Sequence, residues 1–429
     1  MKTTIKILFL FTIILMTSCN NETKNITSSK DYEEYLTPNK NETLPLLRSD
    51  VDFWKRKIEK TPHQFPYYSK KASSHSSLFQ QTGEIHHLIQ AEKELLEANQ
   101  RTQYSNAGYL RSLARNYISQ HRFQESLKLL EKAERVGEQL ASTQKMMVDV
   151  HLELGNYEQV EAYLAKIKNF KDFDYLIRLS KYQDHLGKLE SAIKYLEMSL
   201  EIAKASKNRD LLQWNYTNLA DYYGHAGKIK DSYNSYLKAL ELGASAYALK
   251  GIAWIVYSHE QNPDEALRIL DAIIPQNASP DYFLLKSEIA EFQKDEEGAK
   301  KYQKMYLSLI NNKQYGVMYN TYKAEIHAEN VMRVEESIQL AKAEVLERPT
   351  AMSYDLLAWC YLKNGNEKKA LEISQTYVIG KTFEPTALLH TAEILEANDL
   401  EEETKKLKKE LLGCAFELGP VAYEKVITL

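Results

Sequence analysis

Apolar residues recur three and four positions apart over most of this chain, the stripe that a helix presents to a core. Around Gly227 these positions are Tyr216, Leu219, Ala220 and Tyr223, followed by Ser232, Tyr236 and Ala239. A glycine between two such stripes predicts antiparallel helices joined by a short turn. The arrangement returns at Leu110, Leu113, Ala114, Tyr117, Ser126, Leu130 and Ala133, and again at Leu176, Leu179, Ser180, Gly187, Ala192, Leu196 and Ser199. A later unit holds Tyr354, Leu357, Ala358, Tyr361, Gly365 and Ala370. Marking each second helix by its opening small residue gives Ser126, Val160, Ala192, Ser232, Ala266, Ala299, Ser337 and Ala370, at intervals of 34, 32, 40, 34, 33, 38 and 33. The two long intervals hold the polar stretches Lys204 to Arg209 and Asn311 to Tyr315, which extended helix ends or loops absorb. Weaker hairpins flank the array. One is marked by Gly83 and Leu88; the other, by Asn398 and Glu403, carries the charges of a capping helix with a polar outer face.

In spacing and residue choice this frame resembles the tetratricopeptide repeat, whose units pair a helix A with a helix B over about 34 residues. The resemblance covers roughly residues 70 to 410. It implies an all-α fold, an α-solenoid of helical hairpins wound into a right-handed superhelix, with a concave groove lined by helix A. Small residues such as Ala220 and Ser232 are then expected where A and B cross. Trp254 stands where Gly, Ala or Ser is usual and Val160 replaces Ala, so those two hairpins are expected to be splayed or re-registered. The organisation expected is a signal peptide over 1–18, a lipidated cysteine and flexible tether over 19–45, and an N-terminal cap with a degenerate repeat over 46–105. Eight hairpins over 106–380 and a degenerate C-terminal repeat with its cap over 381–429 complete it.

The beginning of the chain is an address. Lys2 and Lys6 precede an apolar run of ten residues, Ile7 to Met16, too short for a bilayer needing about 20 residues but suited to a signal peptide. Leu15-Met16-Thr17-Ser18-Cys19 resembles the lipobox of bacterial lipoproteins, with Met16 where Leu is usual. That resemblance implies cleavage before Cys19, acylation of the cysteine and a cell-envelope location, with the outer membrane and either its periplasmic or its outer face expected. Loss of residues 1–18 removes two lysines and no acid, taking the net charge from −4 to −6. Nothing in that balance asks for nucleic acid. From Asn20 to about Asn41 polar residues dominate, a composition that cannot bury a core and reads as a tether.

Catalytic signatures are missing from the sequence: there is no Gly-x-Ser-x-Gly, no His-Glu-x-x-His and no glycine-rich dinucleotide loop. Gly380-Lys381-Thr382 lacks the strand and first glycine of a phosphate loop, and His86-His87 reads as a solvated pair. No cofactor, metal or enzymatic activity is expected. A membrane-anchored scaffold that takes a protein or peptide segment in its groove is the expected function, with an enzyme-associated subunit or a structural spacer as alternatives. Helix-A offsets carried over from the family place Arg111, Arg115, Lys145, Lys181, His185, Trp214, Asp221, His225, His259, Glu288, Tyr319, Tyr322 and Trp359 along that groove. The wall is acidic with a basic end at Arg111 and Arg115, and its aromatics are candidate anchors. His185, His225 and His259 each precede a marker by seven residues and are expected to form a ladder, with Asp184 and Asp221 favouring its charge.

Overall fold

The computed structural model describes residues 25–37 and 43–429; the signal segment and Cys19 lie outside the described residues. Among the described residues there are 23 α-helices and no strand. Helices α1 (Ser29–Leu36) and α2 (Thr43–Lys60) precede ten antiparallel hairpins. These are α3–α4 (Pro66–Thr82, Ile85–Arg101), α5–α6 (Ala107–Ser119, Phe123–Val136), α7–α8 (Leu140–Glu153, Tyr157–Lys166), α9–α10 (Phe173–His185, Leu189–Ser206) and α11–α12 (Arg209–His225, Ile229–Leu242). They continue with α13–α14 (Ala246–Trp254, Pro263–Ile273), α15–α16 (Asp281–Phe292, Glu296–Ile310), α17–α18 (Asn320–Ala328, Val334–Glu347), α19–α20 (Ala351–Lys363, Glu367–Tyr377) and α21–α22 (Pro385–Glu396, Glu401–Leu411). Helix α23 (Ala415–Thr428) ends the chain. All eight marked units and both weaker hairpins are present. The long intervals are absorbed as expected, one by extension of α10 to Ser206 and the other by a 3₁₀ turn at Lys313–Tyr315.

Nine of the ten hairpin turns contain a left-handed residue, Gly155, Gly187, Gly227 or Gly365 in four of them. In each of these four the next N–H reaches a carbonyl five residues back, as from Asn156 to His151 and from Lys188 to Gln183, both at 2.9 Å. The small markers fill the crossings. Ser126, Val160, Ala192, Ala266, Ser337 and Ala370 are all fully buried, and the Ser126 hydroxyl donates to the Ala114 carbonyl at 3.0 Å while Ser180 donates to Ala192 at 2.7 Å. Such contact leaves no room for a longer side chain.

Trp254 is accommodated by re-registration. A π turn, Ile255–His259, adds one residue to the first helix, and the closing bond of this hairpin runs six residues back, from Asn262 N to Val256 O at 3.0 Å. Ala253 is therefore fully buried, and the indole turns away toward α23. The Val160 hairpin is not re-registered: its turn keeps the ordinary span, and Val148 and Val160 are buried in one core.

The superhelix is wound tightly enough for its later hairpins to meet its earlier ones. Ala278 N donates to Thr82 O at 2.7 Å, and Tyr315 shares a core with Ile85 and Leu88. Arg348 pairs with Glu153 at 3.3 Å, Phe383 lies over Gly187 and Phe416 over Gly224. Helix α23 enters the concave side. The Phe416 carbonyl accepts from Trp254 Nε1 at 3.1 Å and from the Ser258 hydroxyl at 2.8 Å, and Lys294 meets Glu424 at 3.2 Å. Gly419, at φ +72°, breaks the helix against Trp254 and Glu288, where a Cβ would stand 2.7 Å from a carboxylate oxygen.

One expectation is corrected here. Residues 25–37 are not a free tether: Tyr32, 1% exposed, and Leu36 join the core of α12 to α15. Glu260 accepts from the Ile26 and Thr27 amides at 2.7 Å each, and Tyr32 donates to Glu265 at 2.7 Å. Composition understated this segment because two apolar side chains and a set of charge-assisted hydrogen bonds suffice to dock a short helix on an existing surface.

Candidate functional site

Several residues expected to face a partner are spent inside the molecule. Arg111 is buried and donates to the Glu138 carbonyl at 2.8 Å and to Thr143 at 3.1 Å, bracing the turn between α6 and α7. Lys145 is held between Asp172 at 2.8 Å and Asp174 at 3.0 Å. Trp359 is no exposed anchor: it is 5% exposed, stacked on His390 at 4.6 Å and hydrogen-bonded through Nε1 to Glu393 at 3.3 Å. Trp214 is half-buried edge-on against Phe173. Tyr319 is half-buried and packs edge-on against Tyr306 and Tyr315. Glu288 lies under α23, where burial raises its pKa to about 7 against the pull of the Tyr257 hydroxyl, with Glu291 adding to the rise. Arg115, Lys181 and Tyr322 stay exposed.

The histidine ladder divides. Burial lowers the His185 pKa, and its ring stacks on Tyr157 at 4.0 Å. Burial also works against charge at His225, but a contact with Glu417 at 3.2 Å and the fields of Glu417, Asp184 and Glu384 outweigh it and raise the pKa. His259 is part of the π turn, half-buried. Asp221 serves the ladder less than expected, because its carboxylate accepts from the Tyr236 and Tyr247 hydroxyls.

Where the two layers meet there is a cleft of about 340 Å³. Asp184 and His185 reach it from the end of α9, His225 from the end of α11, Lys381 to Glu384 from the loop before α21, and Glu410 and Glu417 from the last two helices. Four carboxylates line it against one lysine and two histidines, and the lysine Nζ donates to the Thr376 carbonyl at 2.5 Å. Burial raises the pKa of both Asp184 and Glu384; Glu417 adds to both rises and Asp184 to that of Glu384, while His225 eases both and the Tyr222 hydroxyl eases Asp184. Tyr157, Met352 and Phe383 supply an apolar wall. Glu384, Glu417 and Phe383 were not reachable from repeat offsets, because superhelical closure brings them in from a different hairpin. One signal was present: Gly224 occupies a groove-lining phase, and Phe416 is what comes close there.

Two further clusters lie apart from the cleft. His390 Nδ1 meets Asp355 at 2.8 Å, both buried, with Glu325 nearby raised by burial to about 7. Cys360 is buried among them, its thiol pushed up to about 12, and neither Cys360 nor the half-buried Cys414 is in a disulfide. At the α3–α4 turn, His86 and His87 are not a solvated pair as expected. The His87 side chain is 12% exposed, and its ring meets both His86, at 3.9 Å between centroids, and His75.

No family model matches the chain, and no curated protein matches it. Among solved structures, one described as a functional characterization of Pseudomonas aeruginosa pilF is 15% identical with a TM-score of 0.36, covering 51% of this chain and 97% of that one. A tetratricopeptide repeat protein from Parabacteroides merdae is 16% identical with a TM-score of 0.32, covering 59% of this chain and 97% of that one. By its own helix crossings, the buried small residues at a period near 34 and the left-handed turns in nine of the ten pairs, the chain is an α-solenoid of tetratricopeptide-like hairpins.

Proposed function

We propose that the protein is a lipid-anchored interaction scaffold of a bacterial cell envelope, held through Cys19, that takes a partner segment carrying a Lys or Arg beside an apolar residue. The observation that carries this reading is the cleft between α9, α11 and the C-terminal hairpin, where acids outnumber bases and the one lysine is engaged elsewhere. A guanidinium or ammonium entering it would offset the mutual repulsion of the cleft's carboxylates and favour the charged forms of Asp184 and Glu384. Phe383, Met352 and Tyr157 offer the neighbouring apolar contact. Binding fits these residues better than chemistry does: Trp359 covers the Asp355–His390 pair, and a thiol raised to about 12 is a poor nucleophile.

The test is a crosslinked pull-down from intact cells with wild type and with Asp184→Asn/Glu384→Gln. The double variant should lose a partner that the wild type retains, and wild-type capture should weaken with salt, since exposed charges are screened beyond about 8 Å at physiological ionic strength. An unchanged partner set would refute the cleft as the binding site. In the same cells Cys19→Ala should move the protein from the membrane to the soluble fraction; sedimentation with membranes would refute the anchor.

A further inference from the structure

The turn between α3 and α4 gathers three donors that no binding groove requires. Glu84 Oε2 lies 3.5 Å from His86 Nδ1 and 3.6 Å from His87 Nε2, and one ligand atom from each of the three residues lies within 4.8 Å of the other two. A tetrahedral ion with bonds of about 2.0–2.1 Å needs ligand atoms about 3.3 Å apart. The two contacts to Glu84 therefore exceed a coordination edge by a few tenths of an ångström, within the reach of side-chain rotation. We propose that Glu84, His86 and His87 form a binding site for one divalent transition metal of the Zn²⁺ class, with a fourth position open to water.

The surroundings favour this over a chance grouping. When His87 binds through Nε2, its Nδ1 must carry the proton, and that atom already faces His75 Nδ1 at 3.1 Å. His75 comes from the facing helix and is buried, so it fixes the His87 tautomer and ring direction as an outer-shell partner does in known metal sites. Glu84 and His86 are 40% and 51% exposed, which leaves an entry path on the solvent side. Two imidazoles and one carboxylate suit zinc, nickel or copper better than calcium or magnesium, which prefer all-oxygen shells. Opposing charge is present: the positive end of α4 begins at Ile85, and the field of Arg48 reaches His87. The carboxylate of Glu84 offsets part of that repulsion.

The position gives the ion something to hold. Gly83 precedes the ligands, with Asn277 Oδ1 2.7 Å from where its Cβ would be, and the loop after α14 is hydrogen-bonded to Thr82. A bound ion would stiffen the turn on which the later layer of the superhelix rests.

The full chain, purified in detergent and stripped with a chelator, is titrated with Zn²⁺ in one series and with Co²⁺ in another. One equivalent should bind, with Co²⁺ giving the visible absorption of a low-coordinate imidazole site, and a large excess of Ca²⁺ or Mg²⁺ should not displace it. His86→Ala and Glu84→Gln should abolish the tight equivalent without changing helical content, and His75→Ala should keep the stoichiometry while weakening affinity about 10-fold or more. His225→Ala, in the cleft, should leave binding unchanged. Equal binding by wild type, His86→Ala and Glu84→Gln would overturn the assignment, as would loss of the ion in His225→Ala alone or no bound equivalent at all.

Discussion

Glu288→Gln isolates the cost of closing α23 onto the concave face. The carboxyl lies beneath Gly419 and receives one hydrogen bond, from Tyr257 at 3.2 Å, while burial holds its pKa at about 7 instead of the ordinary 4.5. Because the folded value is raised, the neutral form's contribution is fully present below pH 4.5 and is lost as pH rises through 7. Each pKa unit is about 1.36 kcal/mol, so the wild type forfeits about 1 kcal/mol at pH 5 and about 3 kcal/mol at pH 8.5 from this group. Gln keeps the shape and never ionises. Urea denaturation of both proteins across that range, followed by circular dichroism, should show the stability of Glu288→Gln relative to wild type rising by about 2 kcal/mol between pH 5 and pH 8.5. Parallel pH profiles would refute the reasoning, because they would mean that Glu288 is solvated and that α23 does not cover it.

Two other substitutions separate buried from available groups. Trp359→Ala should cost about 3–5 kcal/mol of stability, whereas Tyr322→Ala, at an exposed position, should shift the thermal midpoint little; a silent Trp359→Ala would contradict its burial against His390. Tyr32→Ala should release residues 25–37, costing about 3 kcal/mol and raising amide exchange in α1 and along α12 and α14; unchanged exchange would mean that the segment is not docked.

The hairpins were legible because each needs two things that sequence displays directly, a small residue at the crossing and an apolar stripe of helical period. Even the disturbance at Trp254 could be anticipated, since an indole cannot occupy the site that Ala253 fills after the π turn. The candidate site was less legible. Repeat offsets identify which face of a helix points into the groove, but not what the next superhelical turn lays over it. Arg111 and Trp359 have the right phase and are nevertheless consumed, one by the Glu138 carbonyl and the Thr143 hydroxyl at the next turn and the other by His390 and Glu393. The cleft depends on Glu384 and Glu417, more than 150 residues from their neighbours Asp184 and His225, and curvature accumulated over several hairpins decides that meeting. Tyr32 shows the complementary failure, since average polarity hides a short segment whose few apolar residues find a prepared surface.

The central claim is that the solenoid closes on itself, with α23 inside its concave face. Lys294 and Glu424 meet at 3.2 Å, are both exposed, and belong to elements that only closure brings together. Zero-length carbodiimide coupling of the purified monomer, followed by peptide mass spectrometry, should recover a Lys294–Glu424 amide alongside the local Lys300–Glu296 amide, whose partners stand 3.3 Å apart on one helix. Recovery of the local link without the long-range one would contradict the closed superhelix and, with it, the cleft proposed to bind the partner.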